Sequence, residues 1–180
     1  ATFTRQGALT VGSDALLRAS ASADIPVHRR LGVRLGYAAA RQDGFRTNEY
    51  LERDDTNGRD ETMARLKARW AGPGGLTCSA TLFRAALANG YDAWAPDNNE
   101  ALRTYTDRPG VDRQRTTGLS LRSLLPVRGR AELVAITAYA HTAAEYSYDG
   151  DWGNDAYWAS QPYAFDPEAD GDRPHRIAPA

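Results

Sequence analysis

The chain has 180 residues, 25% of them charged, and a formal net charge of −1, and this length suits one domain or a piece of a larger protein. The balanced charge gives no general electrostatic attraction to nucleic acid. No run approaches the roughly 18 to 20 apolar residues that a membrane-spanning helix needs, although strands that cross a membrane in a β-barrel escape this criterion. Cys78 is the only cysteine, so no internal disulfide can form. Because the histidines are remote from it in sequence, Cys78 is interpreted as a small apolar strand residue and not as a nucleophile.

Alternation of apolar and polar side chains, which is typical of β-strands, runs through most of the chain. Residues 1–13 have only weak strand character. The segment 30–41 has the clearest pattern, because Leu31, Val33 and Leu35 alternate with basic or small residues. In chain order, the alternating segments predict about six strands, at 14–24, 30–41, 59–71, 76–87, 113–125 and 131–148.

The segment 59–71 is ambiguous when it is considered alone. Met63, Leu66 and Trp70 have the i, i+3, i+7 spacing of an amphipathic helix. Leu66 and Trp70 also alternate with charged residues such as Arg65, which is the pattern of a strand with one polar and one apolar face. The turn residues on both sides favour the strand.

Short reversals alternate with long polar connections along the chain. Short reversals are predicted at 25–28, where Pro26 interrupts the ladder, at 72–75 and at 126–130, and long connections at 42–58, at 89–112 and beyond 148. Short turns at one rim and long loops at the other are typical of outer-membrane barrels, and each alternating segment reaches the roughly 9 to 11 residues of a tilted spanning strand. The predicted fold is therefore all-β, an antiparallel up-and-down meander that forms a partial segment of a transmembrane β-barrel.

Under this fold, one set of basic residues would line the barrel lumen. These residues are Arg30, Arg34, Arg65, Lys67, Arg69 and Arg122. A basic lumen favours anionic cargo, but such residues more often pair with acidic neighbours on adjacent strands or on a plug, so a structural role is favoured. Leu66 and Trp70 would face lipid, with Trp70 at the level of an interfacial aromatic girdle.

Several runs of sequence, taken in order, resemble the barrel of TonB-dependent outer-membrane receptors. They are DGFRTN (43–48), DDTNGRDETMARLKARW (54–70), NGYDAW (89–94), DNN (97–99), RPGVDRQRTTGLSLR (108–122), AITAYA (135–140) and YSYDGDWGNDAYW (146–158). The resemblance covers most of residues 10–160 and depends on the order and spacing of the runs. It implies a receptor in the bacterial outer membrane that imports a ferric siderophore or a similar scarce nutrient complex.

The resemblance also implies the partners of the protein. They are a small-molecule substrate such as a metal chelate, outer-membrane lipid, and TonB, which would be contacted through a missing N-terminal region. The plug domain of the family is absent from the 180 residues, and six strands cannot close a barrel. Residues 1–180 are therefore expected to form a single partial barrel segment, a curved sheet with an open edge on both sides.

Aromatic residues in the long connections are the candidate ligand-binding residues, because binding residues concentrate on loops. They are Tyr91, Trp94, Trp152 and Trp158, with Tyr157 beside them. The alternative roles are packing within the loops and anchoring at the lipid interface.

Acidic residues near the end of the chain are weak candidates for calcium ligands. Asp149, Asp151 and Asp155 lie in a glycine-containing segment with Asn154. Residues 166–172 resemble the first half of a calcium loop, but its twelfth position falls on Ile177, which cannot be a ligand. A solvated loop is favoured, and no metal site is predicted.

No glycine-rich phosphate loop, zinc-ligand spacing or Ser-His-Asp arrangement occurs in the sequence, so neither an enzyme nor a bound cofactor is expected. Two alternatives to the receptor remain open. One is a passive porin-type barrel without a plug, and the other is a soluble all-β ligand-binding module that uses the loop tryptophans, for example for carbohydrate.

Overall fold

A computed structural model of the chain describes residues 2–127 and 131–161. Its elements, in chain order, are β1 (Thr4–Val11), β2 (Leu17–His28), β3 (Leu31–Gln42), β4 (Arg46–Asn48), β5 (Arg53–Thr56), β6 (Arg59–Ala71), a 3-10 turn (Pro73–Gly75), β7 (Thr77–Tyr91), β8 (Arg103–Thr104), β9 (Gly110–Val127), β10 (Ala131–Ser147) and α1 (Asp155–Ala159). Within these two ranges, no helix has the length and apolar character needed to cross a membrane.

The seven long strands form one sheet in the order β1-β2-β3-β6-β7-β9-β10. Every neighbouring pair in it is antiparallel, and each strand pairs with the next long strand along the chain. This arrangement confirms the predicted all-β antiparallel up-and-down meander. A second sheet, in the order β5-β4-β8, forms within the long connections, and its β4–β8 pair is parallel.

The start of the sheet differs from the sequence-based prediction. β1 lies in the segment with weak strand character, yet it pairs with β2 along its whole length, from Thr4 to Val11. The reversal predicted at 25–28 is wrong, because β2 continues to His28 and Pro26 pairs with Gly32 beside a bulge. Proline lacks an N–H donor but is tolerated at a bulge. The turn lies at residues 29–30, so Arg30 is in this turn and not on a strand face as predicted.

The short reversal predicted at 72–75 lies close to its predicted position. The 3-10 turn Pro73–Gly75 connects β6 to β7. β9 ends at Val127 and β10 begins at Ala131. Residues 128–130, which were predicted to turn between these strands, lie outside the described residues.

One face of the seven-stranded sheet carries a row of large apolar side chains. Residues that pair across neighbouring strands point to the same face, and one such row consists of Ala23, Leu35, Leu66, Leu82, Leu119 and Tyr139. The last five side chains of this row are 45%, 39%, 45%, 53% and 69% exposed. We call this side of the sheet the apolar face. Trp70 lies on it too, opposite Leu31 of β3.

The opposite side, which we call the basic face, follows from the same register. Arg34 pairs with Lys67, and Arg69 is connected through Ser79 to Arg122. Arg65 lies on the same side. Five of the six basic residues predicted to share a face therefore do so, Arg30 being the exception.

The described residues contain no buried hydrophobic side chain. In a soluble antiparallel sheet one face normally packs on a hydrophobic core. Here the apolar face is uncovered by other described residues. The side chains that are buried are polar and lie in or beside the long connections: Asn48, Thr56, Asp92, Thr104, Thr106, Asp149 and Asn154.

Candidate ligand-binding surface on the loops

Three polar segments meet at one edge of the sheet, the edge formed by the ends of strands and not by an outer strand. They are residues 43–58 between β3 and β6, 92–109 between β7 and β9, and 148–161 after β10, and we call them the loop cap. The strands of a meander alternate in direction, so β3, β7 and β10 all end at the same edge. The segments contact one another through the β4–β8 pairing and through Asn154, whose Nδ2 donates to the carbonyl oxygen of Tyr105 at 2.6 Å.

A buried hydrogen-bond network holds the first two segments together. The Asp92 carboxylate accepts from Asn48 Nδ2 at 3.2 Å, from Thr104 Oγ1 at 2.7 Å and from Thr106 Oγ1 at 2.9 Å. The Asn48 side-chain oxygen accepts in turn from the backbone N–H groups of Tyr50 and the next residue. Buried polar groups of this kind are costly when unpaired, so the network rigidifies the loop cap.

Sequence reasoning did not identify this network as a unit. Asn48 and Asp92 are 44 residues apart, and each lies in a segment that simply looks polar. Neither spacing nor composition indicates that their side chains meet. Only the parallel pairing of β4 with β8 brings them together.

Three of the four candidate ligand-binding residues form one aromatic group on the loop cap. The rings of Trp94 and Trp152 stack with centroids 6.0 Å apart and an interplanar angle of 28°. Trp94 Nε1 donates to the Tyr91 hydroxyl at 2.9 Å. Tyr91 also contacts the Tyr146 ring at 5.1 Å. Trp94 is 53% exposed and Trp152 is 40% exposed, so both indoles present surface to the outside.

The fourth candidate, Trp158, belongs to a second aromatic group. Tyr105 stacks on Tyr157 at 4.6 Å, and Tyr157 meets Trp158 edge-on at 5.3 Å. Trp158 is half-buried. A Cβ added to Gly153 would lie 2.6 Å from its Nε1, so the indole lies directly against the loop backbone. The structure thus gives Trp158 a packing environment unlike that of Trp94 and Trp152.

The calcium candidates are not gathered into a metal site. Asp149 is 4% exposed and accepts the Asp151 backbone N–H at 3.4 Å, whereas Asp155 is an exposed residue in the first turn of α1. Across residues 2–127 and 131–161, no three His, Cys, Asp or Glu side chains converge as metal ligands. The acidic run at 166–172 lies outside the described residues.

Among the titratable groups of the loop cap, Asp149 has the pKa that departs most from its ordinary value. Burial raises its pKa to about 7, with further increases from the neighbouring Asp151 carboxyl group and from Asp107. Its Oδ2 atom has no hydrogen-bond donor among the described residues. Asp149 therefore exchanges its proton near neutral pH, and its protonated form is favoured below about pH 7.

A second pair of titratable groups lies beside the stacked tyrosines. Burial, followed by the hydrogen bond from its hydroxyl to Asp97 at 2.9 Å, raises the pKa of Tyr105 to about 12. The Asn99 side chain, which donates to Asp97 at 2.6 Å, lowers the pKa of that carboxyl group. Both groups keep their ordinary charge near neutral pH, Tyr105 neutral and Asp97 negative.

The fold and its loop cap define an all-β meander protein that presents an aromatic surface at one edge of the sheet. No family model, no curated protein and no solved structure matches the chain.

Proposed function

We propose that the chain is a section of the β-barrel wall of a TonB-dependent outer-membrane receptor, one that imports a ferric siderophore or a similar scarce nutrient complex. One observation supports this proposal most directly. A row of large apolar side chains crosses the sheet in register with no described residue packed over it, while the other face is basic. Such a sheet, apolar on one side and polar on the other, suits a wall between lipid and a watery lumen.

The apolar face would be the lipid-facing side. Its central row places three leucines, Leu66, Leu82 and Leu119, on adjacent strands at the same level, each 39% or more exposed. In water this row would be an extended apolar patch of the kind that soluble monomers rarely expose. In a bilayer the same side chains would contact acyl chains at no such cost. Trp70, near the end of β6, lies where an interfacial aromatic belt is expected.

The basic face would line the lumen. Of the five predicted residues that lie on it, Arg34 has an ion pair within the described ranges, because its guanidinium lies 3.7 Å from Asp24. Arg65, Lys67, Arg69 and Arg122 form a basic surface beside it. In the proposed receptor, these basic residues would pair with acidic groups of a plug or of further strands. This is the structural role that the sequence favours for them.

In this proposal the loop cap meets cargo from the medium. The Asp92 network would fix the loops, and the stacked Trp94 and Trp152 would supply the contact surface. The plug and the energy delivered through TonB belong to the receptor as a class and are implied by the resemblance.

Cell fractionation of the organism that produces the full-length protein tests the proposal. We expect the protein in the outer membrane, with faster gel migration before heating than after heating. Recovery in a soluble fraction, without heat-dependent migration, would contradict the membrane proposal and favour a soluble ligand-binding module. A plug domain encoded upstream of Ala1 would favour the receptor, whereas a barrel without a plug would favour a porin.

A further inference from the structure

Charge is strongly segregated between the loop cap and the rest of the molecule. Segments 43–58, 92–109 and 148–161 contain twelve acidic residues and four arginines, a net charge of −8 in a chain whose total is −1. Two of these arginines are already neutralised locally, Arg53 by Asp55 at 2.8 Å and Arg103 by Glu49 at 2.9 Å. The edge that carries the exposed tryptophans is therefore strongly negative.

The segregation is sharpest in the two segments that carry the stacked indoles. Residues 91–102, which include Trp94, and residues 148–161, which include Trp152, together contain no lysine, arginine or histidine. The same two segments contain six acidic residues, of which Asp92 and Asp149 are buried and Asp97, Glu100, Asp151 and Asp155 are at least partly exposed. The two segments that supply these partly exposed indoles therefore carry only acidic charge in their sequence.

We propose that the Trp94–Trp152 surface binds an organic cation, with a quaternary ammonium or a similarly diffuse positive charge seated against the indole faces. Indole is the strongest cation–π partner among the side chains, and a diffuse cation loses little hydration when it contacts a ring. The surrounding carboxylates add a long-range attraction for the same charge and repel anionic cargo. The inference rests on the proposed function, because it takes the loop cap as the surface that meets cargo.

The two charged surfaces of the molecule would therefore have different roles. The basic face of the sheet would pair with acidic groups of the protein, whereas the loop cap would repel anionic cargo. A cargo that approaches from the loops meets the acidic aromatic surface first. For a metal chelate, this favours a ligand framework that carries cationic groups on its outside.

Matched probes test the charge requirement. Choline and 3,3-dimethylbutan-1-ol have the same shape and the same hydroxyl group but differ in charge, and 3,3-dimethylbutanoate supplies an anion of similar size. Each is titrated by ligand-observed NMR into the full-length protein in detergent, a readout that does not depend on tryptophan fluorescence. We expect choline to bind at least tenfold more tightly than the neutral alcohol, the anion to show no binding, and choline binding to weaken as salt is raised.

Two tryptophan substitutions test the location. Trp152→Leu should weaken choline binding by about three- to thirtyfold, the range expected on loss of a cation–π contact. Trp70→Leu, on the apolar face of the sheet, should change it by less than about twofold. Equal binding of choline by wild type and Trp152→Leu would overturn the location, and heat-dependent gel migration of both variants shows that they are folded.

The outcomes distinguish this inference from the proposed function. The cation inference would be overturned by equal or tighter binding of the neutral alcohol, or by no binding of choline. If the protein still fractionates with the outer membrane, the receptor proposal stands in either case. Choline binding by a protein found only in the soluble fraction would support the cation inference and contradict the receptor.

Discussion

Placing a charge in the middle of the apolar face tests whether that face contacts lipid. Leu82 lies in the leucine row and is five residues beyond Thr77, where β7 begins. At about 3.4 Å per residue and a tilt of about 40°, it lies roughly 13 Å above the start of the strand, close to the middle of an apolar band about 25 Å tall. Leu82→Arg should therefore reduce the free energy of unfolding in lipid vesicles by about 2–4 kcal/mol.

The neighbouring residue provides a matched control. Thr81 lies on the basic face at nearly the same depth, opposite Lys67. Thr81→Arg should cost less than about 1 kcal/mol, a cost that comes from repulsion by this cross-strand lysine. Guanidinium titration of the full-length protein in vesicles, followed by tryptophan fluorescence, measures both changes. A Leu82→Arg variant no less stable than Thr81→Arg would refute a lipid-facing apolar face.

Three further predictions concern the loop cap and the strand packing. Asp92→Ala removes the acceptor shared by Asn48, Thr104 and Thr106. We expect a loss of about 1–3 kcal/mol in loop stability, which would be measured as faster proteolysis of the loops. Unchanged proteolysis would contradict a stabilising network. Burial raises the pKa of Asp149 from 3.8 to about 7. Its contribution to loop stability is therefore fully present below about pH 4 and is lost as the pH rises through about 7, so that proteolysis of the loops becomes faster. Asp149→Asn should abolish this pH dependence of proteolysis, and an unaltered pH profile would refute the role of Asp149. In the sheet, a Cβ on Gly118 would overlap the Phe83 ring. Gly118→Ala should therefore lower the midpoint of guanidinium unfolding by the equivalent of about 1–3 kcal/mol. An unchanged midpoint would show that the ring moves aside freely.

The strands of the sheet were the most predictable part of the structure, because their signal is local. Alternation and turn residues within a few positions indicate a strand such as β6, where Leu66 and Trp70 lie on the face opposite to Arg65. Pro26 misled the prediction because a bulge lets β2 continue past it to His28. β1 has little alternation of its own, and its pairing with β2 depends on the neighbouring strand.

The loop cap was much less predictable. That loop aromatics would be exposed follows from their position, but the stacking of Trp94 on Trp152 joins two connections that are distant in sequence. The same is true of the contact between Asn48 and Asp92. Contacts of this kind depend on how the loops fold over the edge of the sheet, which no local pattern encodes. The different environments of Trp152 and Trp158 likewise emerge only from the packed structure.

Quenching of Trp70 fluorescence by brominated lipid tests the central proposal most directly. Variants of the full-length protein that retain only Trp70 or only Trp94, with phenylalanine at every other tryptophan position, are reconstituted in vesicles whose acyl chains carry bromine near the headgroup end. The proposal predicts strong quenching of Trp70, on the apolar face, and little quenching of Trp94, on the loop cap. Emission from Trp70 that brominated lipid leaves unchanged would contradict a membrane-embedded barrel wall.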